Sequence, residues 1–285
     1  MTSLLNGAVK FALYGLHRGS SAEPGTLVRR ARAAEEAGFE ALWVGDHIAM
    51  PKGVDPPDQP RLEAVVALTY LAAATERVRL GFGVIVLPQR QPVLLAKQVA
   101  TIDHLSGGRV TLGVGVGWLE PELRAMGVPP EERAARTDEY LAALRVLWDE
   151  PVPEFDGQFV QFADVVQRPR PVQRPHPPII VGGHVPAAYR RAVCSGNGWY
   201  GWDLGVEHAA ESIAALHAAR QRHGRPEELG ELEITITPPG MVDPDTVRRY
   251  AEAGVHRLVL QPDTMDGTAM DELIDTVGST LIGRA

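Results

Sequence analysis

The chain has 285 residues, 45% of them hydrophobic and 22% charged, an ordinary balance for a globular protein that excludes collagenous, disordered and coiled-coil architectures. Its formal net charge of -8 argues against a nucleic-acid binder, which meets phosphate with clustered Lys and Arg, and makes a small molecule the expected partner. The single cysteine, Cys194, excludes an intrachain disulfide and a cysteine-based zinc site; no signal-like start and no long apolar run occurs, so a cytoplasmic protein without a membrane anchor is expected.

Val9–Leu16 is a short apolar run expected as a buried strand, and Pro24–Ala37 follows as a helix ending at Gly38. The unit then recurs: strand Ala41–His47 with helix Arg61–Thr75, strand Val78–Leu87 with helix Pro92–Leu105, and strand Val110–Gly117 with helix Glu131–Trp148. The second half continues with strand Pro178–Gly182 and helix Pro186–Ser195, then strand Trp199–Leu204 and helix Glu207–His223. Strand Leu232–Thr237 with helix Pro244–Ala253, and strand Arg257–Gln261 with helix Met270–Leu281, complete the series. Eight alternating pairs fit one α/β domain over residues 1–285, a (β/α)8 TIM barrel, better than a doubly wound sheet, which usually needs fewer strands. The proline-rich stretch at 151–178 carries a hairpin-like Phe155-Asp156-Gly157-Gln158-Phe159 and is expected as an insertion between the fourth and fifth strands. Met50–Pro60, rich in Pro and Asp, is expected as a substrate-facing loop.

Trp43-Val44-Gly45-Asp46-His47 puts an acid and an imidazole at the carboxyl end of the second strand, where barrel enzymes hold reacting groups. Strand neighbours face opposite ways, so one of the pair is expected in the barrel mouth; the plainer alternative is a capping Asp beside a surface His. The first strand offers only His17, just past its end, so the alternating histidines of a hydrolase metal cluster are missing and no metal is expected. Gly81, Gly83, Gly113, Gly115 and Gly117 fall at period two and clear one face of the third and fourth strands. Either a flat ligand lies against that backbone or neighbouring elements pack unusually close. Gly113 to Gly117 is no dinucleotide fingerprint, because its third glycine comes too early. Gly182-Gly183 ends a strand shortly before Pro186 opens a helix, an arrangement that suits a phosphate held by backbone N–H groups, or simply a tight βα turn.

Taken together, Leu42–His47, Leu80–Pro88, Ala100–Arg109, Leu112–Trp118 and Pro171–Gly183 resemble the bacterial-luciferase-like superfamily of flavin and deazaflavin oxidoreductases, particularly its coenzyme F420-dependent branch. The run Leu105-Ser106-Gly107-Gly108-Arg109 leading into Gly113–Trp118 is the most specific part. The resemblance implies a barrel whose mouth holds an isoalloxazine-like ring, supported from behind by a bulge after the third strand. Gly83-Val84 matches the place of a non-proline cis peptide in relatives, Asp46 and His47 match the pair lining ring and substrate, and Gly182 and Gly183 match the phosphate-contacting turn. The resemblance thus implies His47 as the catalytic group, Asp46, Gly83, Val84, Gly115, Gly182 and Gly183 around the cofactor, and a homodimer.

The sugar-phosphate dehydrogenase branch has a glutamate proton donor after the fourth-strand glycines, where this chain has Trp118, so a sugar phosphate is not expected. Trp118 is expected instead to give the substrate pocket an apolar surface, and Glu120 to supply a carboxylate if its loop turns inward. The expected function is hydride transfer between F420 and a small organic substrate. The alternatives are an FMN-dependent luciferase-like monooxygenase and a non-catalytic ligand-binding relative.

Overall fold

The computed structural model describes residues 9–54, 59–265 and 267–282. The first half runs β1 (Lys10–Tyr14), α1 (Pro24–Glu36), β2 (Ala41–Val44), α2 (Ala64–Ala74), β3 (Arg79–Phe82), β4 (Ile85–Val86), α3 (Pro92–Ser106), β5 (Val110–Gly115), α4 (Glu120–Ala125) and α5 (Arg133–Asp149). The second runs β6 (Phe155–Asp156), β7 (Gln161–Phe162), β8 (Ile179–Gly182), α6 (Pro186–Ser195), β9 (Gly198–Gly201), α7 (Val206–His223), β10 (Glu233–Ile236), α8 (Pro244–Glu252), β11 (Arg257–Leu260) and α9 (Ala269–Val277). Proline begins α1, α3, α6 and α8, where its missing N–H has no intrahelical partner to lose, and Glu23, Glu63, Gln91 and Asp243 cap first-turn N–H groups.

Every barrel pairing is parallel: β1 with β2 and β11, β2 with β3, β3 with β5, β5 with β8, β8 with β9, β9 with β10, and β10 with β11. The ring therefore closes on eight strands, and each of the eight expected strands is one of them. Alternate residues on a strand face opposite ways, which divides the core in two. Leu13, Leu42, Leu80, Leu112, Ile179 and Leu258 join the layer between strands and helices, while Ala12, Tyr14, Ala41, Trp43, Ile180, Tyr200 and Val259 fill the barrel itself. The Arg109 guanidinium of the glycine-rich motif donates at 2.9 Å to the carbonyls of Ala72, Thr75 and Val78, so this motif seals the carboxyl end of α2.

Two details differ from expectation. The strand expected over Val78–Leu87 stops at Phe82; a cis Gly83–Val84 peptide follows, then β4, which pairs with β5 through Ile85↔Val114. The stretch before α5, to which no element is assigned from the sequence, holds α4, opened by Glu120-Pro121 and followed by Gly127 at φ +75°. Between α5 and β8 lies the hairpin, β6 against β7 in antiparallel register Phe155↔Phe162. The Met50–Pro60 loop is described except for 55–58, which lie outside the described residues.

The two ends of the chain's barrel are clasped by an ion pair. Buried Arg30 on α1 reaches Asp271 on α9 at 2.6 Å, and Arg29 reaches it at 2.7 Å. The hydrogen bond from Arg30 is the main reason the Asp271 carboxyl is lowered from 3.8 to about 2. A depressed carboxylate contributes stability that is present above its unfolded pKa and lost as pH falls through the folded one. Asp271→Asn is therefore expected to lower Tm at neutral pH and to remove the loss of stability between pH 3.8 and about 2, read by thermal melts across that window. An unchanged acid limb would show that the clasp contributes nothing.

Candidate active site

At the carboxyl ends of the strands lies a cavity of about 440 Å³. Asp46, His47, Gly83, Val84, Gly115, Trp118, Gly182 and Gly183, eight of the nine residues expected around a site, line it. The ninth, Glu120, is exposed and paired with Arg124 at 3.1 Å. Arg18, Arg61, Tyr14, Trp202 and His184 join the lining.

The loop after β2 carries the imidazole and is fastened residue by residue. Gly45 N–H donates to Nε2 of His17 at 3.2 Å; burial holds the His17 imidazole well below its ordinary pKa, with Arg18 and Arg61 adding to that, so it is neutral and able to accept. The Asp46 carboxylate accepts from the Val86 N–H at 3.1 Å and pairs with Arg90, which also reaches Glu63 at 2.5 Å. Its carboxylate thus holds the segment after the cis peptide. Glu122, buried on α4, accepts from Ile48 N–H at 2.5 Å and Ala49 N–H at 3.1 Å and lies 3.0 Å from His47 Nδ1. Burial pushes the Glu122 carboxyl up, but the hydrogen bonds from His47, Ala49 and Ile48 outweigh it and hold the group below its usual range.

The cleared glycine faces are occupied by protein. A Cβ on Gly81 would stand 2.4 Å from Trp43 Nε1, and one on Gly83 would stand 2.6 Å from Trp43 Cε3. Val84 in turn fills the space beside Gly115 and Gly182, at 2.8 and 3.1 Å from the Cβ each lacks. Close packing is the reason for these glycines, and a side chain at Gly83 would not enter the cavity. What the glycines do for the cavity is let Trp43 and Val84 bring its floor together.

On the far wall, Gly183 takes φ +123°, a conformation open to glycine, and its carbonyl accepts from the Trp199 indole at 2.8 Å. α6 begins three residues later. Among the described residues the N–H groups of His184, Val185 and Ala187 have no acceptor, the ordinary state of a helix start and one suited to an anion. His184 Nε2 accepts from the Trp202 N–H at 3.1 Å, and burial lowers its pKa despite the nearby Asp203. Tyr14 and Trp202 meet edge to face at 5.3 Å, and Trp118 is 69% exposed at the rim. No group of His, Cys, Asp and Glu among the described residues is arranged to hold a metal.

Residues 9–273 match the family model for luciferase-like monooxygenases. The chain belongs to that family. Among its relatives, an uncharacterized protein of Mycobacterium tuberculosis is 34% identical over 267 residues, covering 88% of this chain and 92% of that protein. The FMNH(2)-dependent dimethylsulfone monooxygenase of Pseudomonas putida is 33% identical over 203 residues, 70% of this chain and 54% of that protein. The fold matches that of an F420-dependent secondary alcohol dehydrogenase solved with an F420-acetone adduct, at a TM-score of 0.79 and 18% identity, covering 97% of this chain and 99% of that one. The dimethylsulfone enzyme is by name a monooxygenase and the alcohol dehydrogenase by name F420-dependent; this chain shares sequence with the first and the barrel fold with the second.

Sequence reading missed Glu122, Arg90 and His17 as members of the site. Glu122 had one usable signal, the pair of acids two residues apart around Pro121, since positions i and i+2 on a helix face away from each other and only one can turn inward.

Proposed function

We propose that this chain is an F420-dependent oxidoreductase that transfers a hydride between the deazaflavin and a small organic substrate. One observation carries this reading: His47 lines the cavity with one ring nitrogen on a buried carboxylate and the other without a protein partner among the described residues, which is the arrangement of a proton-handling group. The charges around the cavity also support this reading. The start-of-helix N–H groups at α6 and the two lining arginines, Arg18 and Arg61, suit a ligand bearing several negative charges, in a protein whose own net charge is -8.

In this reading Gly182, Gly183 and the start of α6 hold the phosphate, the Val84 and Gly115 segment backs the ring, and Asp46 keeps that segment in place through Val86 and Arg90. When bound, the deazaflavin supplies two-electron hydride chemistry. His47 gives or takes the accompanying proton, while Trp118, Tyr14 and Trp202 offer the substrate an aromatic surface. Glu120, facing solvent, is left with the outer rim.

A second reading, an FMN-dependent monooxygenase, is favoured by the 33% identity to the dimethylsulfone enzyme. Titrating the protein with F420 and with FMN, followed by fluorescence, separates the two: tight binding of FMN and none of F420 overturns the first. We further read the chain as one cytoplasmic domain with 151–178 as an insertion, and as a homodimer. Exposed Val66 and Tyr70 on α2 and Leu94 on α3 support the dimer, and sedimentation of the protein tests it.

The phosphate site has its own test. Any side chain at Gly183 is strained by its φ of +123° and would press on the Ala188 Cβ at 3.0 Å, so Gly183→Ala measures that cost alone. Gly183→Asp adds a negative charge at the start of α6 and is expected to weaken cofactor binding about tenfold or more beyond the alanine variant. Equal affinities for the two variants would remove the phosphate from this turn.

A further inference from the structure

We propose that Glu122 is the positioning residue that fixes His47 as its Nδ1–H tautomer, leaving a bare Nε2 toward the cavity to take up a substrate proton; the substrate half of this statement rests on the oxidoreductase reading. The inference starts from what the carboxylate can do. An ionised carboxylate only accepts hydrogen bonds. Glu122 Oε1 already takes the N–H groups of Ile48 and Ala49, and Oε2 sits 3.0 Å from His47 Nδ1, so Nδ1 must be the donor. Neutral imidazole in water prefers the opposite tautomer, with the proton on Nε2, and the fold therefore imposes a choice the free side chain would not make.

The geometry holds on both sides of the ring. Glu122 belongs to α4, which follows β5, whereas His47 follows β2, so two βα units meet at this hydrogen bond. The backbone on which His47 sits is held by the same carboxylate at Ile48 and Ala49 and by His17 at Gly45. Other ionisable groups on the cavity side are Arg18 and Arg61, both cations, Asp46, which is committed to Arg90, His184, whose Nε2 accepts from the Trp202 N–H, and the phenols Tyr14 and Tyr200, the latter bonded to Thr237. Once Nε2 has gained a proton, the positive ring stands against the buried Glu122 charge, and returning the proton restores the starting tautomer.

Glu122→Gln is the informative variant. Its amide oxygen keeps an acceptor for Ile48 and Ala49, while its NH2 faces Nδ1 as a donor and so reverses the tautomer. With 15N-labelled histidine, and the His47 signal assigned by its loss in His47→Gln, spectra recorded above the pH at which that signal stops shifting read the two nitrogens directly. Expected is a protonated Nδ1 and a bare Nε2 in the wild type, and the reverse in E122Q. In a working assay E122Q should also lower kcat by about 10–100-fold with KM little changed. A wild-type His47 protonated on Nε2, or an E122Q spectrum like the wild type, overturns the proposal. The wild-type spectrum decides even if E122Q does not fold. Because no cofactor is added, absence of F420 binding would sink the oxidoreductase reading without touching the tautomer.

Discussion

Replacing His47 with alanine is expected to reduce turnover by roughly two to four orders of magnitude while leaving cofactor affinity within a few-fold. In the proposed reading, binding rests on other groups: the glycine turn at 182–183 and the helix start after it, the backbone of Gly83 to Val86, and the arginines of the lining. Removing the imidazole takes none of them away. It does strip one of three donors from the buried Glu122 carboxylate, which costs about 1–3 kcal/mol of stability, so Tm must be measured beside turnover. Until a natural substrate is found, single-turnover reoxidation of reduced cofactor against a panel of enones and aldehydes gives the rate. Undiminished turnover with an unaltered pH profile would make His47 a lining residue and pass its role to a bound water, since Glu120 is turned to solvent and paired with Arg124.

The second large effect is on folding. Gly83→Val is expected to destabilise the protein by about 3 kcal/mol or more, because the new Cβ would have to occupy space 2.6 Å from Trp43 Cε3 and 3.3 Å from Cζ3. Trp43 cannot swing aside: it is buried, packed edge to face on Tyr200 at 5.2 Å, and its other edge meets the backbone at Gly81. A double-mutant cycle with Trp43→Leu isolates the clash, and the pair should be more stable than additivity predicts. Additive losses would mean that the indole is not the obstacle. A folded, stable Gly83→Val that fails only to bind cofactor would restore the idea that the glycine clears room for a ligand.

The barrel was legible because its determinants are local. Apolar runs of strand length, prolines at helix starts and glycines at helix ends mark eight pairs, and those marks need no knowledge of neighbours. The candidate site was legible only where the chain leaves the carboxyl end of a strand for the barrel mouth, as at His47 and the Gly182-Gly183 turn. Glycine at period two shows that a face is bare but not what covers it; Trp43 and Val84 do so from adjacent strands and a bulge, a fact of tertiary packing. Glu122 was hidden for a related reason: α4 has six residues, too few to show a hydrophobic period, and the inward turn of one acid over the other depends on Leu123 finding Val86 and Val128. His17, read from the sequence only as an insufficient metal ligand, is in the fold the acceptor for the N–H of Gly45, a residue 28 positions along the chain that only the pairing of β1 with β2 brings near.

That short helix separates two kinds of evolutionary freedom. Its buried side, Glu122 and Leu123, is committed to His47 and to the patch that anchors the turn, whereas Trp118 and Glu120 just before them hang outward. In the proposed reading, substrate preference can therefore drift by exchange at Trp118, which lines the cavity, without retuning the chemistry beneath. Laboratory selection for new substrates should gather its first changes at that position and spare 122 and 123.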